Sequence, residues 1–174
     1  QYISFDSFCA MSIRIFLYNK IMEKTNPYHT LLPAARALLQ GETDPIANAA
    51  NLAALLFNTL GGLNWAGFYR WKDGQLVLGP FQGKPACVRI PYGKGVCGMS
   101  AQTRQTVLVP DVHAFEGHIA CDAASRSEIV VPVIQNGTLW GVLDIDSPLL
   151  ARFNETDRKY LEELVQIFVS ASRF

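Results

Sequence analysis

The chain has 174 residues, enough for one domain and for a core that needs no disulfide scaffold or structural metal. Fifteen Lys and Arg balance fifteen Asp and Glu, which argues against a nucleic-acid partner and against an acidic disordered chain. Hydrophobic residues make up 49% and charged residues 17%, the balance of a compact globular protein.

Residues 1–21 are aromatic-rich but interrupted by Asp6, Arg14, Asn19 and Lys20. They lack a cationic start, a clean apolar centre and a small-residue cleavage site, so they do not read as a signal peptide. They are expected to form an extension outside the core, leaving residues 22–174 as a single domain. No stretch reaches the ~18 apolar residues of a membrane span. A cytoplasmic location is expected, where cysteines stay reduced.

Two helices follow. Tyr28–Leu39 is rich in Ala and Leu and stops near Gly41. Asp44-Pro45 caps a second helix, in which Ala49, Leu52, Ala53, Leu56 and Leu60 keep helical spacing up to Gly61-Gly62. The middle of the chain is β. Trp65–Trp71 puts Trp65, Gly67, Tyr69 and Trp71 on one face and Ala66, Phe68 and Arg70 on the other. Asp73-Gly74 turns the chain into Gln75–Gly79, and Ala86–Ile90 is expected to be a further strand. A Gly-rich turn over 91–98 leads to a short helix through Thr103, then a brief strand at 107–109 and a long polar loop over 110–126. Strands at 128–135 and 139–146 flank an Asn136-Gly137 turn. Asn154 caps a last helix with an apolar stripe of Leu161, Leu164, Val165, Phe168 and Val169. Helices segregated from hairpin-connected strands imply an α+β fold. The expected form is a five- or six-stranded antiparallel sheet, with the N- and C-terminal helices on one face and the middle loops on the other.

Gly93-Lys94-Gly95-Val96-Cys97-Gly98 spells a dinucleotide fingerprint, but no βαβ unit surrounds it and no acidic residue follows at the required place. It reads as a tight turn into a helix. No C-x-x-C pair occurs, so a thioredoxin-like motif or an ordinary zinc site is poorly supported. Cys97 lies in the Gly-rich turn and Cys121 in the polar loop, flanked by His118, Asp122, Ser125 and Ser127. Such surroundings favour a reactive thiolate, whereas Cys87 fits a core position by pattern. His113 or His118 could serve Cys121 as a base. Asp144 and Asp146 share a strand face, and a two-residue turn puts Glu128 opposite residue 145, diagonal to both. Three carboxylates at one hairpin end could bind a divalent metal, bind a substrate ammonium, or hold a proton through mutual repulsion. Trp65 and Tyr69, on one strand face, could wall a ligand.

Several stretches together resemble the free methionine-(R)-sulfoxide reductases, enzymes built on a GAF domain. They are Asn64-Trp65-Ala66-Gly67-Phe68-Tyr69, Gly79-Pro80-Phe81-Gln82-Gly83, Ala86-Cys87, Arg89-Ile90-Pro91 and the Gly93–Gly98 turn. Asp111-Val112, His118-Ile119-Ala120-Cys121-Asp122, Ser127–Pro132 and Gly141–Ser147 complete the set. The resemblance spans about residues 24–172 and makes residues 22–174 a single GAF domain. It implies that Cys121 attacks the sulfoxide sulfur, releases methionine and becomes a sulfenic acid. Cys87 or Cys97 would resolve it as a disulfide, with Cys87 ranked first only weakly. Thioredoxin, recycled through NADPH, would restore the thiols, and no cofactor would be bound. Glu128 and Asp146 would handle the sulfoxide oxygen, Asp144 the α-ammonium, and Trp65 and Tyr69 the apolar thioether. The partners implied are free methionine-(R)-sulfoxide and thioredoxin, with no nucleic acid and no membrane, and the family allows a homodimer. The competing readings are a non-catalytic GAF sensor of a small molecule and a metal-assisted hydrolase.

Overall fold

A computed structural model describes residues 26–174. The extension expected over 1–21, with Cys9, lies outside the described residues. In chain order the elements are α1 (Tyr28–Leu38), α2 (Pro45–Thr59), β1 (Trp65–Lys72), β2 (Gln75–Gly83), β3 (Arg89–Pro91) and α3 (Gly95–Thr103). There follow β4 (Val107–Val109), a 3₁₀ turn (Val112–Ala114), β5 (Ser127–Gln135), β6 (Thr138–Ser147) and α4 (Glu155–Ala171). The strands form one six-stranded antiparallel sheet in the order β3-β2-β1-β6-β5-β4.

The helix ends follow their capping residues. Asp44 accepts from the N–H of Ile46 and Ala47 at 2.8 and 2.9 Å, with Pro45 at the first helical position. Asn154 and Asp157 form a reciprocal capping box on α4. Asp157 also accepts the Tyr28 hydroxyl at 2.8 Å, which ties α1 to α4.

The sheet separates two apolar clusters. On one face α1, α2 and α4 pack on Ala66, Phe68, Ile129, Val131, Val133, Leu143 and Ile145. Phe68 and Phe168 meet there with ring centroids 5.0 Å apart. On the other face Trp65, Tyr69, Leu76, Val130 and Val142 pack against Ile90, Val96, Cys97 and Ala101. The alternation expected along β1 is therefore realised, with terminal helices and loop segments on opposite faces.

Three local expectations are corrected. The strand expected over Ala86–Ile90 is only Arg89–Pro91, because β2 runs on to Gly83 and residues 84–88 are spent returning to its edge. The turn expected over 91–98 is half helix, since α3 begins at Gly95. The third concerns the β5–β6 register. Gln135 faces Thr138 as expected, but Val133 faces Gly141 while Ile134 faces Leu139. The bulge turns Trp140 toward the helix face, where its ring meets Phe168 at 5.3 Å and Phe174 at 5.0 Å. Gly141 is required here, because a Cβ would run into the Tyr69 carbonyl oxygen. Glu128 consequently lies directly opposite Asp146, not opposite Ile145, and Asp144 lies opposite Val130.

Candidate active site

The loop-side face of β1, β5 and β6 gathers the chemistry. Glu128 and Val130 share a face of β5, and Asp144 and Asp146 share the matching face of β6. On β1, Trp65 pairs with Asp146 and Gly67 with Asp144. A Cβ on Gly67 would collide with Phe81 and the Trp65 indole, so this glycine is what lets the strand carry stacked aromatics. The Trp65 ring stacks on Phe81 at 5.3 Å and on Tyr69 at 5.7 Å.

Two loop segments close over these strands. Residues 84–88 bring Cys87 and residues 115–126 bring Cys121, and the two are joined in a disulfide with Cα atoms 5.4 Å apart. The Tyr69 hydroxyl donates to the Cys87 carbonyl at 3.0 Å. Asn64 Nδ2 donates to Asp122 Oδ2 and Ser125 Oγ at 3.2 and 2.9 Å, and Lys84 Nζ lies 3.3 Å from Asp122 Oδ2. The Cys121 loop is thus pinned on both sides of the bridge. Cys97, at the start of α3, remains a thiol and is buried.

Cys97, His118, Cys121, Glu128, Asp144 and Asp146 line one cavity of about 20 Å³ together with Ile90, Gly95, Val96, Ile119, Asp122 and Ser125. Cys97 Sγ lies 3.9 Å from Glu128 Oε1, and His118 Nε2 lies 3.6 Å from Glu128 Oε2. Asp144 Oδ1 and Trp65 Nε1 are buried without a hydrogen-bond partner among the described residues. Burial pushes the carboxyls of Glu128, Asp144 and Asp146 well above the usual carboxylate range. Their mutual repulsion adds to it, Asp146 acting on Glu128, Glu128 on Asp144 and Asp144 on Asp146. Burial also raises the Cys97 thiol and lowers His118. Asp122 is held below its usual range, chiefly by the Ala124 N–H.

The structure places Cys97, Cys121, Glu128, Asp144 and Asp146 on one cavity, with Cys87 joined to Cys121 beside it. Trp65 and Tyr69 are buried beside them but do not line the cavity in this disulfide state. Of the two histidines, His113 stays exposed and outside the cavity, while His118 faces Glu128. Sequence reading missed the roles of Asn64, Lys84, Ser125 and Phe81. Their only signal was position beside residues already singled out.

Comparison with known proteins follows this geometry. A family model for the GAF domain matches residues 34–171. A free methionine-R-sulfoxide reductase from Escherichia coli is 53% identical over 144 residues, covering 83% of this chain and 87% of that protein. One from Saccharomyces cerevisiae is 41% identical over 158 residues, covering 86% and 88%. An X-ray structure of free methionine-R-sulfoxide reductase from Neisseria meningitidis in complex with its substrate superposes with a TM-score of 0.80. That protein is 49% identical, and the match covers 83% of this chain and 87% of the other.

Proposed function

The chain belongs to the GAF domain family and, within it, to the free methionine-R-sulfoxide reductases, and from that premise we propose how its own residues reduce free L-methionine-(R)-sulfoxide. The observation that carries the assignment is the Cys87–Cys121 bridge beside a pocket lined by Glu128, Asp144 and Asp146.

The Cys121 thiolate attacks the sulfoxide sulfur. This forms a sulfur–sulfur bond. As the S–O bond breaks, the protonated oxygen passes as hydroxyl to the Cys121 sulfur, the sulfur–sulfur bond breaks with its electron pair going to methionine, and Cys121 is left as a sulfenic acid. The Cys87 thiolate then attacks the Cys121 sulfur, the sulfenic oxygen leaves as water, and the disulfide forms. One sulfoxide has gained two electrons and two thiols have lost them. Cys87 is taken as the resolving thiol because it is the one joined to Cys121, whereas the Cys97 thiol sits against Glu128. A carboxyl held protonated by burial and by its neighbours can give its proton to the departing oxygen. Glu128 and Asp146, directly opposite across two strands, suit that role. Asp144, with a buried oxygen that lacks a partner, suits the α-ammonium. A peptide-bound methionine sulfoxide lacks that ammonium, and the polar group it would leave unpaired disfavours it strongly. The stacked rings of Trp65 and Tyr69 supply an apolar wall for the thioether.

Electrons come from thioredoxin, and ultimately NADPH, by thiol exchange on the disulfide. The cytoplasm is the compartment that keeps such thiols reduced. No helix among the described residues is long and apolar enough to cross a membrane. The reading further takes residues 22–174 as the GAF domain, residues 1–21 as an extension, and the assembly as a homodimer, which light scattering on the full chain checks.

The decisive experiment is NADPH consumption with thioredoxin and thioredoxin reductase on both sulfoxide epimers. Turnover of the free R epimer alone is expected. Tight ligand retention without turnover would instead identify a sensor, and loss of activity on chelation would identify a metal-assisted hydrolase.

A further inference from the structure

In the disulfide state the pocket holds about 20 Å³. That is room for one water-sized body, which needs roughly 10–15 Å³, and far too little for methionine sulfoxide. Among the groups that line this small space, a thiol and two buried carboxyls stand closest together. Cys97, Glu128 and Asp144 are 3, 5 and 6% exposed, and one donor atom from each lies within 4.8 Å of the others. Asp144 Oδ1 is buried without a partner among the described residues. His118 Nε2 touches one edge of this set, 3.6 Å from Glu128 Oε2, but stands outside the group of three.

We propose that this pocket binds one zinc-class divalent cation through Cys97 Sγ and one oxygen each of Glu128 and Asp144, with the fourth position of a tetrahedron left open. The distances suit it. Zinc takes sulfur at about 2.3 Å and nitrogen or oxygen at about 2.0 Å, which puts neighbouring donors about 3.5 Å apart in a tetrahedron. Cys97 Sγ and Glu128 Oε1, at 3.9 Å, need to close by only a few tenths of an ångström. The donor types select the metal. Magnesium and calcium want six or more oxygens, whereas a thiolate ligand suits zinc or cobalt. The charge argument points the same way, because a dication offsets the burial of three acidic groups that lack a lysine or arginine partner among the described residues. Binding releases the Cys97 proton and any carboxyl protons to water, and nothing is oxidised or reduced. The cation occupies the carboxyls assigned above to substrate, so zinc and methionine sulfoxide exclude each other. That consequence rests on the reductase reading, while the binding does not.

The experiment uses the full-length disulfide protein on a Cys9→Ser background, in which Cys97 is the sole thiol. Cobalt(II) chloride is expected to bind at one equivalent, give a thiolate-to-cobalt charge-transfer band in the near ultraviolet, and be displaced by zinc chloride. Cys97→Ser should abolish the band, and Asp144→Asn should weaken zinc binding at least tenfold while leaving the band at saturating cobalt. Absence of the band in the parent protein overturns the site without requiring any other variant to fold. Zinc affinity unchanged by Cys97→Ser, with circular dichroism showing a folded protein, also overturns it. For exclusion, pre-reduced enzyme is given sulfoxide with and without zinc, and methionine is measured after one turnover. Zinc is expected to stop methionine release and chelator to restore it, and release unaffected by bound zinc overturns the exclusion. Failure of turnover in chelator-treated buffer, with the cobalt band present, would count against the reductase reading and not against the site.

Discussion

The two faces of β5 and β6 carry opposite burdens. On the helix face Ile129, Val131, Val133, Leu143 and Ile145 are covered and meet apolar groups. Each such side chain stabilises the fold by about 1.5–3 kcal/mol relative to exposure. On the loop face the same strands bury Glu128 and Asp144, one residue away from those apolar positions. Those carboxyls oppose folding, because they give up hydration, and Asp144 Oδ1 does so without a hydrogen-bond partner among the described residues. The pleat lets one strand hold the molecule together with one set of residues and present the carboxyls proposed for the chemistry with the alternate set. The cost of burying these carboxyls is tolerated because the opposite face buries enough apolar surface to offset it.

Four substitutions test this division. The largest effect is expected for Cys121→Ser, which should lower kcat/KM for the free R-sulfoxide about a thousandfold or more by removing the nucleophile. Its reduced form should unfold at nearly the wild-type temperature. Wild-type turnover would remove Cys121 from the chemistry. On the helix face, Phe168→Ala should cost about 3–5 kcal/mol in urea unfolding, because Phe168 is fully buried between Phe68 and Trp140. The folded fraction should keep its KM, and a KM change as large as the stability loss would show the faces to be coupled.

Asp144→Asn sharpens the comparison most. It should lower kcat/KM about a hundredfold and yet raise stability by about 1 kcal/mol in metal-free buffer, since an amide is less costly to bury than a carboxylate. On a protein of this size that corresponds to a melting temperature higher by about 2–4 °C. Lower stability with intact activity would reverse the roles given to the two faces. The smallest effect belongs to Asn154→Ala at the capping box of α4. It should cost about 1 kcal/mol, measured by thermal unfolding, with no change in kcat/KM. A kinetic effect there would mean that α4 reaches the site.

Legibility from sequence divides along the same physical line. The cap at Asp44, the turn at Asn136-Gly137 and the stripe on α4 were all readable, because each depends on neighbours within about one turn of chain. The α+β fold followed from their order. The carboxyl cluster was readable as a cluster but not in its pairing. Trp140 turns its ring onto Phe168 and Phe174, and the bulge that permits this shifts Glu128 by one place. No local signal marks that bulge, since it answers to helix residues that arrive later in the chain. The strand at Ala86–Ile90 was over-read for a similar reason, because its residues serve a loop held by Tyr69 and by the bridge to Cys121.

The sequence by itself determined which residues share a face, where helices start and that Cys97 and Cys121 lie in a Gly-rich turn and a polar loop. Those properties are periodic or local, and the backbone expresses them wherever the chain folds. The tertiary structure alone decided that Cys121 meets Cys87 while Cys97 lies against Glu128, and that His118 turns to the carboxyls. These are meetings between segments about ten to thirty-four residues apart in the chain. Only the packing of two loops over one sheet face fixes which side chains end within bonding distance.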